Sequence, residues 1–282
     1  MFQKPSNIFT VDLPVKRLFR WRVFLGLVTL YFLGNIAGLP LLQKKNIPVE
    51  PIWFWGVATL ISAFVIALSL AMANRTSLGT PLLEGRLTKE DIPSWIRSGL
   101  ALTVVMFIVG LPLSLIANLN ADPESYPFGW ELLPASFKAG VVEEIINRLF
   151  LVSLLVWLGS FFKRDDAGRP TSSVYWVAIV LAGLMFGWAH VDARLSHPSA
   201  TFWDYALIMV LSSGLGIYFG WLFWRLGLEW AMFAHFAYDA FISMVVIPVY
   251  LMKSAVVWVI LIAGLVLLLV MSWRSLVQAQ SK

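Results

Sequence analysis

The chain contains no cysteine, which excludes disulfides, thiolate metal sites, a cysteine nucleophile and S-acylation. Charge is scarce as well. Only 13% of residues are charged, against roughly 25% in ordinary soluble domains. With 59% of residues hydrophobic, a soluble fold would lack the polar surface to cover itself, and lipid is the economical solvent. Polar–apolar alternation is missing from runs such as Ala255 to Ser272, so helices are expected and a membrane barrel is not. A small-x-small cleavage site is missing after the first apolar run, which reads as an uncleaved span and not a signal peptide. The zincin pattern H-E-x-x-H is absent too.

What is present is a series of long apolar segments. A span needs about 20 apolar residues. Eight segments meet that need: Val23–Leu42, Ile52–Ala73, Ser98–Leu119, Leu133–Phe161, Val174–Val191, Trp203–Trp224, Leu228–Leu251 and Ala255–Ser272. The expected fold is therefore all-α, a polytopic integral membrane bundle of about eight transmembrane helices. Residues 1–22 form a cytoplasmic N-terminal segment and 23–282 a single transmembrane domain. Tryptophans such as Trp21, Trp53, Trp95, Trp130, Trp176 and Trp224 cluster near the segment ends, as an interfacial belt requires. The connection from Asn74 to Arg97 has room for a short surface helix around Lys89 to Ile96.

The net charge of +5 does not point to nucleic acid, because the basic residues sit at the ends of apolar runs. With Lys138 and Arg148 inside the fourth segment set aside, fifteen Lys and Arg fall on the side of the termini and four on the other. That asymmetry puts both termini in the cytoplasm. It fits a multi-pass protein of the plasma (inner) membrane, if the source is prokaryotic.

Ionisable groups inside spans are costly, so their positions are informative. Away from segment ends they occur on three segments: Glu143, Glu144 and Arg148 on the fourth, His190 on the fifth, His235 and Asp239 on the seventh. Glu144 and Arg148 are four apart, with the acid first, which suits an ion pair. Glu143 lies about 100° around the helix from Glu144, so one carboxylate can be held by Arg148 while the other faces a cavity. Ala139 and Gly140, one turn before Glu143 on its face, leave room for a substrate backbone. The i, i+4 spacing of His235 and Asp239 lets a carboxylate orient an imidazole. Phe186, one turn before His190, can wall its pocket. His197, in a loop after Asp192 and Arg194, reads as solvated. Two histidines and a free carboxylate can position and deprotonate a water. The same three, Glu143, His190 and His235, can instead hold one divalent metal such as zinc. The spacing leaves both open.

The fourth segment reads Glu143-Glu144-Ile-Ile-Asn147-Arg148, the fifth Phe186-Gly-Trp-Ala-His190, the seventh His235-Phe-Ala-Tyr-Asp239. This resembles the three-part signature of the CAAX protease and bacteriocin-processing family, type II CAAX prenyl proteases among them. The likeness runs over about 133–251. It implies an eight-helix intramembrane endopeptidase acting on a membrane-tethered peptide or protein. It implies Glu143 as the water-activating base and His190 and His235 as holders of the water or a metal. Glu144 and Arg148 would be structural support. Asp239 takes a position that is often asparagine, stabilising the oxyanion or orienting His235. Where the family usually has Phe-Arg-Gly, this chain has Asn147-Arg148-Leu149; Asn147, one turn after Glu143, is placed to hydrogen-bond it. Two other readings stand beside the protease. One is a family member whose site has lapsed, acting as a membrane partner or an immunity-like protein. The other is a proton-coupled transporter, which should show repeats and paired broken helices; neither is visible. A further expectation concerns depth. Straight parallel helices would set His190 and His235 about 14 Å apart along the membrane normal, so tilt or a broken helix must bring them together.

Overall fold

The computed structural model describes residues 20–46, 52–117, 129–194 and 201–248, with single positions between 259 and 270. The eighth expected segment beyond those positions, His197, most of the N-terminal segment and both termini lie outside the described residues. Among the described residues the chain is helical without strands, an all-α bundle. Its helices are α1 (Trp21–Ala37), α2 (Leu39–Lys44), α3 (Ile52–Thr76), α4 (Asp91–Ala117), α5 (Leu132–Lys138), α6 (Ser153–Gly159), α7 (Ser172–Arg194), α8 (Phe202–Leu226) and α9 (Leu228–Phe241). π-Helical stretches Ala139–Glu143 and Ile145–Val152 join α5 to α6, and a third, Ile242–Val246, continues α9.

Five described stretches are long and apolar enough to cross a membrane: Trp21–Lys44, Gly56–Thr76, Asp91–Pro112, Ser172–Val191 and Phe202–Leu226. They coincide with expected segments one, two, three, five and six. Segments four and seven are helical too, but wide π-turns interrupt them, and these two carry most of the buried charge. Large apolar side chains on the outside, such as Leu60, Phe64, Val109, Val177 and Trp188, are exposed, as a lipid-facing surface requires.

The short surface helix expected near Lys89 is instead the first turns of α4. Thr88 and Asp91 form a reciprocal cap, with the Asp91 N–H to Thr88 Oγ1 at 3.3 Å and the Thr88 N–H to Asp91 Oδ2 at 3.1 Å. With its start capped, the helix runs unbroken into the span. Thr201 and Asp204 cap α8 in the same way.

Two pairs of small residues bring α7 and α8 into close contact. A Cβ on Gly183 would stand 2.9 Å from the Ile217 nitrogen, and one on Gly187 2.8 Å from the Met209 carbonyl. Gly216 meets Gly183 across the seam. This is small-xxx-small packing, which lets backbones approach where lipid supplies no hydrophobic drive. Tight seating of α7 on α8 fixes Phe186, which faces inward at 4% exposure. Between α8 and α9 there is one residue, Gly227, at φ 98. A side chain there would be strained by that backbone and would strike Pro81, so the turn requires glycine.

Candidate active site

The site is built outward from Glu144 and Arg148, both fully buried on the π-helical run between α5 and α6. Arg148 Nε lies 3.1 Å from Glu144 Oε2. The guanidinium also stacks on aromatic faces, 5.0 Å from the Phe186 centroid and 5.8 Å from that of Phe219. A buried cation is tolerable when paired and laid against π-faces. The expected ion pair is thus present.

The other Glu144 oxygen does something the spacing did not disclose. Oε1 lies 2.9 Å from Nδ1 of His235 on α9, so one carboxylate ties Arg148 to His235. Phe219 stacks on the imidazole, with centroids 4.7 Å apart and planes 16° apart. Asp239 is near as expected, its Oδ2 3.5 Å from His235 Nε2. The closer carboxylate is Glu144, so Glu144 holds the ring and Asp239 flanks its other nitrogen.

His190 turns back along α7, the direction helical side chains take. Its Nδ1 meets the Phe186 carbonyl at 2.8 Å. A carbonyl can only accept, so Nδ1 carries the hydrogen and Nε2 is left as a lone pair. Phe186 neighbours both histidines, its ring centroid 4.4 Å from that of His190 and 5.9 Å from that of His235. The two rings therefore share one neighbour despite the depth offset, part of which the backward turn of His190 takes up. Glu143 is half-buried on the adjacent helix position. The titratable groups that act on its carboxylate are His235, Asp239, His190 and Glu144. The structure thus gathers Glu143, Glu144, Arg148, Phe186, His190, His235 and Asp239 around one centre.

Asn147 hydrogen-bonds Glu143 as expected, its amide donating to the main-chain carbonyl at 2.9 Å. A π-turn shifts the backbone ladder by one residue and frees such a carbonyl, which the amide side chain then takes up. One expectation is corrected. The space beside Gly140 is not left for substrate. A Cβ there would lie 2.8 Å from the Met232 carbonyl and the Phe236 nitrogen, so α9 itself fills it. We expect Gly140→Ala to push α9 away, at a cost of about 1–3 kcal/mol, and to move His235, which lies between those two residues. Thermal unfolding in detergent should show the loss. An unchanged melting temperature would mean that α9 is not seated there.

Among the described residues, no three His, Asp or Glu side chains stand close enough to hold a metal ion. Each histidine engages its Nδ1, with Glu144 and with the Phe186 carbonyl, and this leaves Nε2 of each ring as the nitrogen open to a ligand. It is the spacing of the described side chains, and not the engaged nitrogens, that does not fit a three-ligand zinc site.

The described residues thus form a helical bundle with a buried carboxylate–histidine cluster contributed by three segments. Residues 126–241 match the family model described as "Rce1-like: Type II CAAX prenyl endopeptidase Rce1-like". Over that segment the chain resembles the CAAX protease and bacteriocin-processing family, and the match supports the likeness read from the three motifs. The match contains each of the site residues above. No curated protein and no solved structure matches the chain.

Proposed function

We propose that the protein is an intramembrane endopeptidase that hydrolyses a peptide bond in a membrane-tethered peptide or protein, with Glu143 as the general base. The observation that carries this reading is the pair of histidines that share Phe186 as a neighbour, one with Nδ1 on the Phe186 carbonyl and the other with Nδ1 on Glu144, so that Nε2 of each is turned to the site. The family match over residues 126–241 supports the reaction class. The transporter reading draws no support from paired broken helices in corresponding halves.

A water between the Glu143 carboxylate and His190 Nε2 gives its proton to Glu143 as its oxygen bonds to the scissile carbonyl carbon. Negative charge then develops on the carbonyl oxygen. His235, fixed by Glu144 and flanked by Asp239, faces that charge. Collapse breaks the C–N bond, and the proton on Glu143 passes to the leaving nitrogen. The products are a carboxylic acid and an amine, which become carboxylate and ammonium once the acid's proton passes to the amine, and Glu143 is restored. Arg148 and Glu144 touch no reacting atom; they position His235. Both termini face the cytoplasm in this reading, on the evidence of the basic loops.

The test varies the histidines. His190→Ala and His235→Ala should each lower cleavage of a lipid-tethered peptide about 100-fold or more, with folding retained. Activity of the wild type should be indifferent to chelator. Loss of wild-type activity in chelator, with recovery on added zinc, would replace the glutamate mechanism with a metal one. Undiminished cleavage in both histidine variants would remove them from the site.

A further inference from the structure

Away from the carboxylate–histidine cluster, a cavity of about 470 Å³ opens where α3 and α8 end and α4, α7 and α9 begin. None of Glu143, His190 or His235 lines it. Its inner wall includes Phe223 and Leu226, buried at 1% and 3% exposure, so it is not the mouth of the site described above.

Three arginines line this cavity: Arg86 and Arg169 from two connections and Arg225 from the last turn of α8. Each guanidinium is held in place. Arg86 Nε is 2.9 Å from Glu84 Oε2, Arg169 Nε is 3.0 Å from Asp165 Oδ2, and Arg225 lies 4.2 Å over the Trp224 ring. Preset cations cost little further ordering when an anion arrives. One carboxylate, Asp165, is among the lining residues. The main-chain N–H of Arg169 holds its carboxyl below the usual range, so its negative charge counts against the three positive ones. Glu84 stands beside Arg86, and the Glu229 carboxylate nearby is occupied by the N–H groups of Leu82 and Leu83 at 3.0 and 3.1 Å. Pro170, Thr171 and Ser172 add the N-terminus of α7, the positive end of a 23-residue helix.

Depth supplies the second argument. The cavity sits at the ends of the candidate spans Gly56–Thr76 and Phe202–Leu226 and at the starts of Asp91–Pro112 and Ser172–Val191. Trp95, Tyr175 and Trp224 line it, and such rings settle at the headgroup level. On the basic-loop asymmetry this is the cytoplasmic face, the leaflet rich in anionic lipid.

We propose that this cavity is a phosphate-binding site, filled from the adjoining leaflet by the headgroup of an anionic phospholipid. The site is separate from the peptidase reading and stands or falls without it.

Native mass spectrometry of the full chain in detergent tests it, with phosphatidylglycerol and phosphatidylcholine as probes. The wild type should retain phosphatidylglycerol in preference. Arg169→Glu/Arg225→Glu should weaken that retention about tenfold or more. Ser172→Trp, which fills the cavity without removing a charge, should do the same. Lys89→Glu/Lys163→Glu changes net charge equally on exposed residues and should stay within about twofold of wild type. Inorganic phosphate that raises the wild-type melting temperature but not that of Ser172→Trp, without lipid retention, would assign the same site to free phosphate. Equal retention of the two lipids with no effect of phosphate would overturn the proposal. So would wild-type retention of phosphatidylglycerol in both cavity variants.

Discussion

Arg148→Ala is expected to lower the yield of folded protein sharply. Both Arg148 and Glu144 are fully buried. Removing the cation leaves the Glu144 carboxylate in a low-dielectric interior with His235 as its remaining partner, and it also empties the space between Phe186 and Phe219. Breaking one side of a buried pair costs about 3–5 kcal/mol, a large share of the ~5–15 kcal/mol that holds a typical domain together. The double variant Arg148→Met/Glu144→Leu separates the two roles. It removes both charges and keeps the volume, so stability should recover. Activity should not, because nothing then fixes Nδ1 of His235. Size-exclusion yield and thermal melting report the first effect, and peptide cleavage the second. An Arg148→Ala protein that melts and cleaves like wild type would refute this division. A double variant with full activity would show that Glu144 does not position His235.

Much of this arrangement is written in the chain. Charge inside apolar segments is expensive, so Glu143, Glu144, Arg148, His190, His235 and Asp239 stand out without any structure, and the i, i+4 spacing of Glu144 and Arg148 names their pairing. The link from Glu144 to His235 is not legible in that way. It spans 91 positions and depends on how closely α9 approaches the π-helical run, which Gly140 permits. The signal for that approach is a single glycine, whose missing side chain makes room equally for a neighbouring helix or for a substrate backbone. The glycine pairs at 183 and 187 and at 216 and 220 are another signal that could have placed α7 on α8 in advance. The π-turns are not legible at all, since their residues have ordinary helical propensities. They nonetheless explain why Asn147 takes the Glu143 carbonyl. The start of α4 is hard to place for a local reason, because the Thr88–Asp91 cap lies in a polar stretch that has the composition of a connection.

The second large effect belongs to Glu143. Glu143→Gln keeps the size and the hydrogen-bonding capacity of the side chain but removes its ability to take a proton. Glu143 is half-buried and makes no part of the Glu144–Arg148 pair, so the fold should be unaffected. Without a base, the water stays a poor nucleophile, and loss of a positioned general base costs about 100- to 10,000-fold. The same protein should still melt like wild type, which distinguishes it from Arg148→Ala.

The central claim is that this cluster hydrolyses peptide bonds with Glu143 as base. Its most direct test is mass-spectrometric detection of cleavage of lipid-tethered peptides by the purified full chain in lipid nanodiscs, wild type beside Glu143→Gln. The account predicts a new carboxy-terminal fragment from the wild type and at most a trace from the equally well folded variant. Equal cleavage by the two proteins would contradict it.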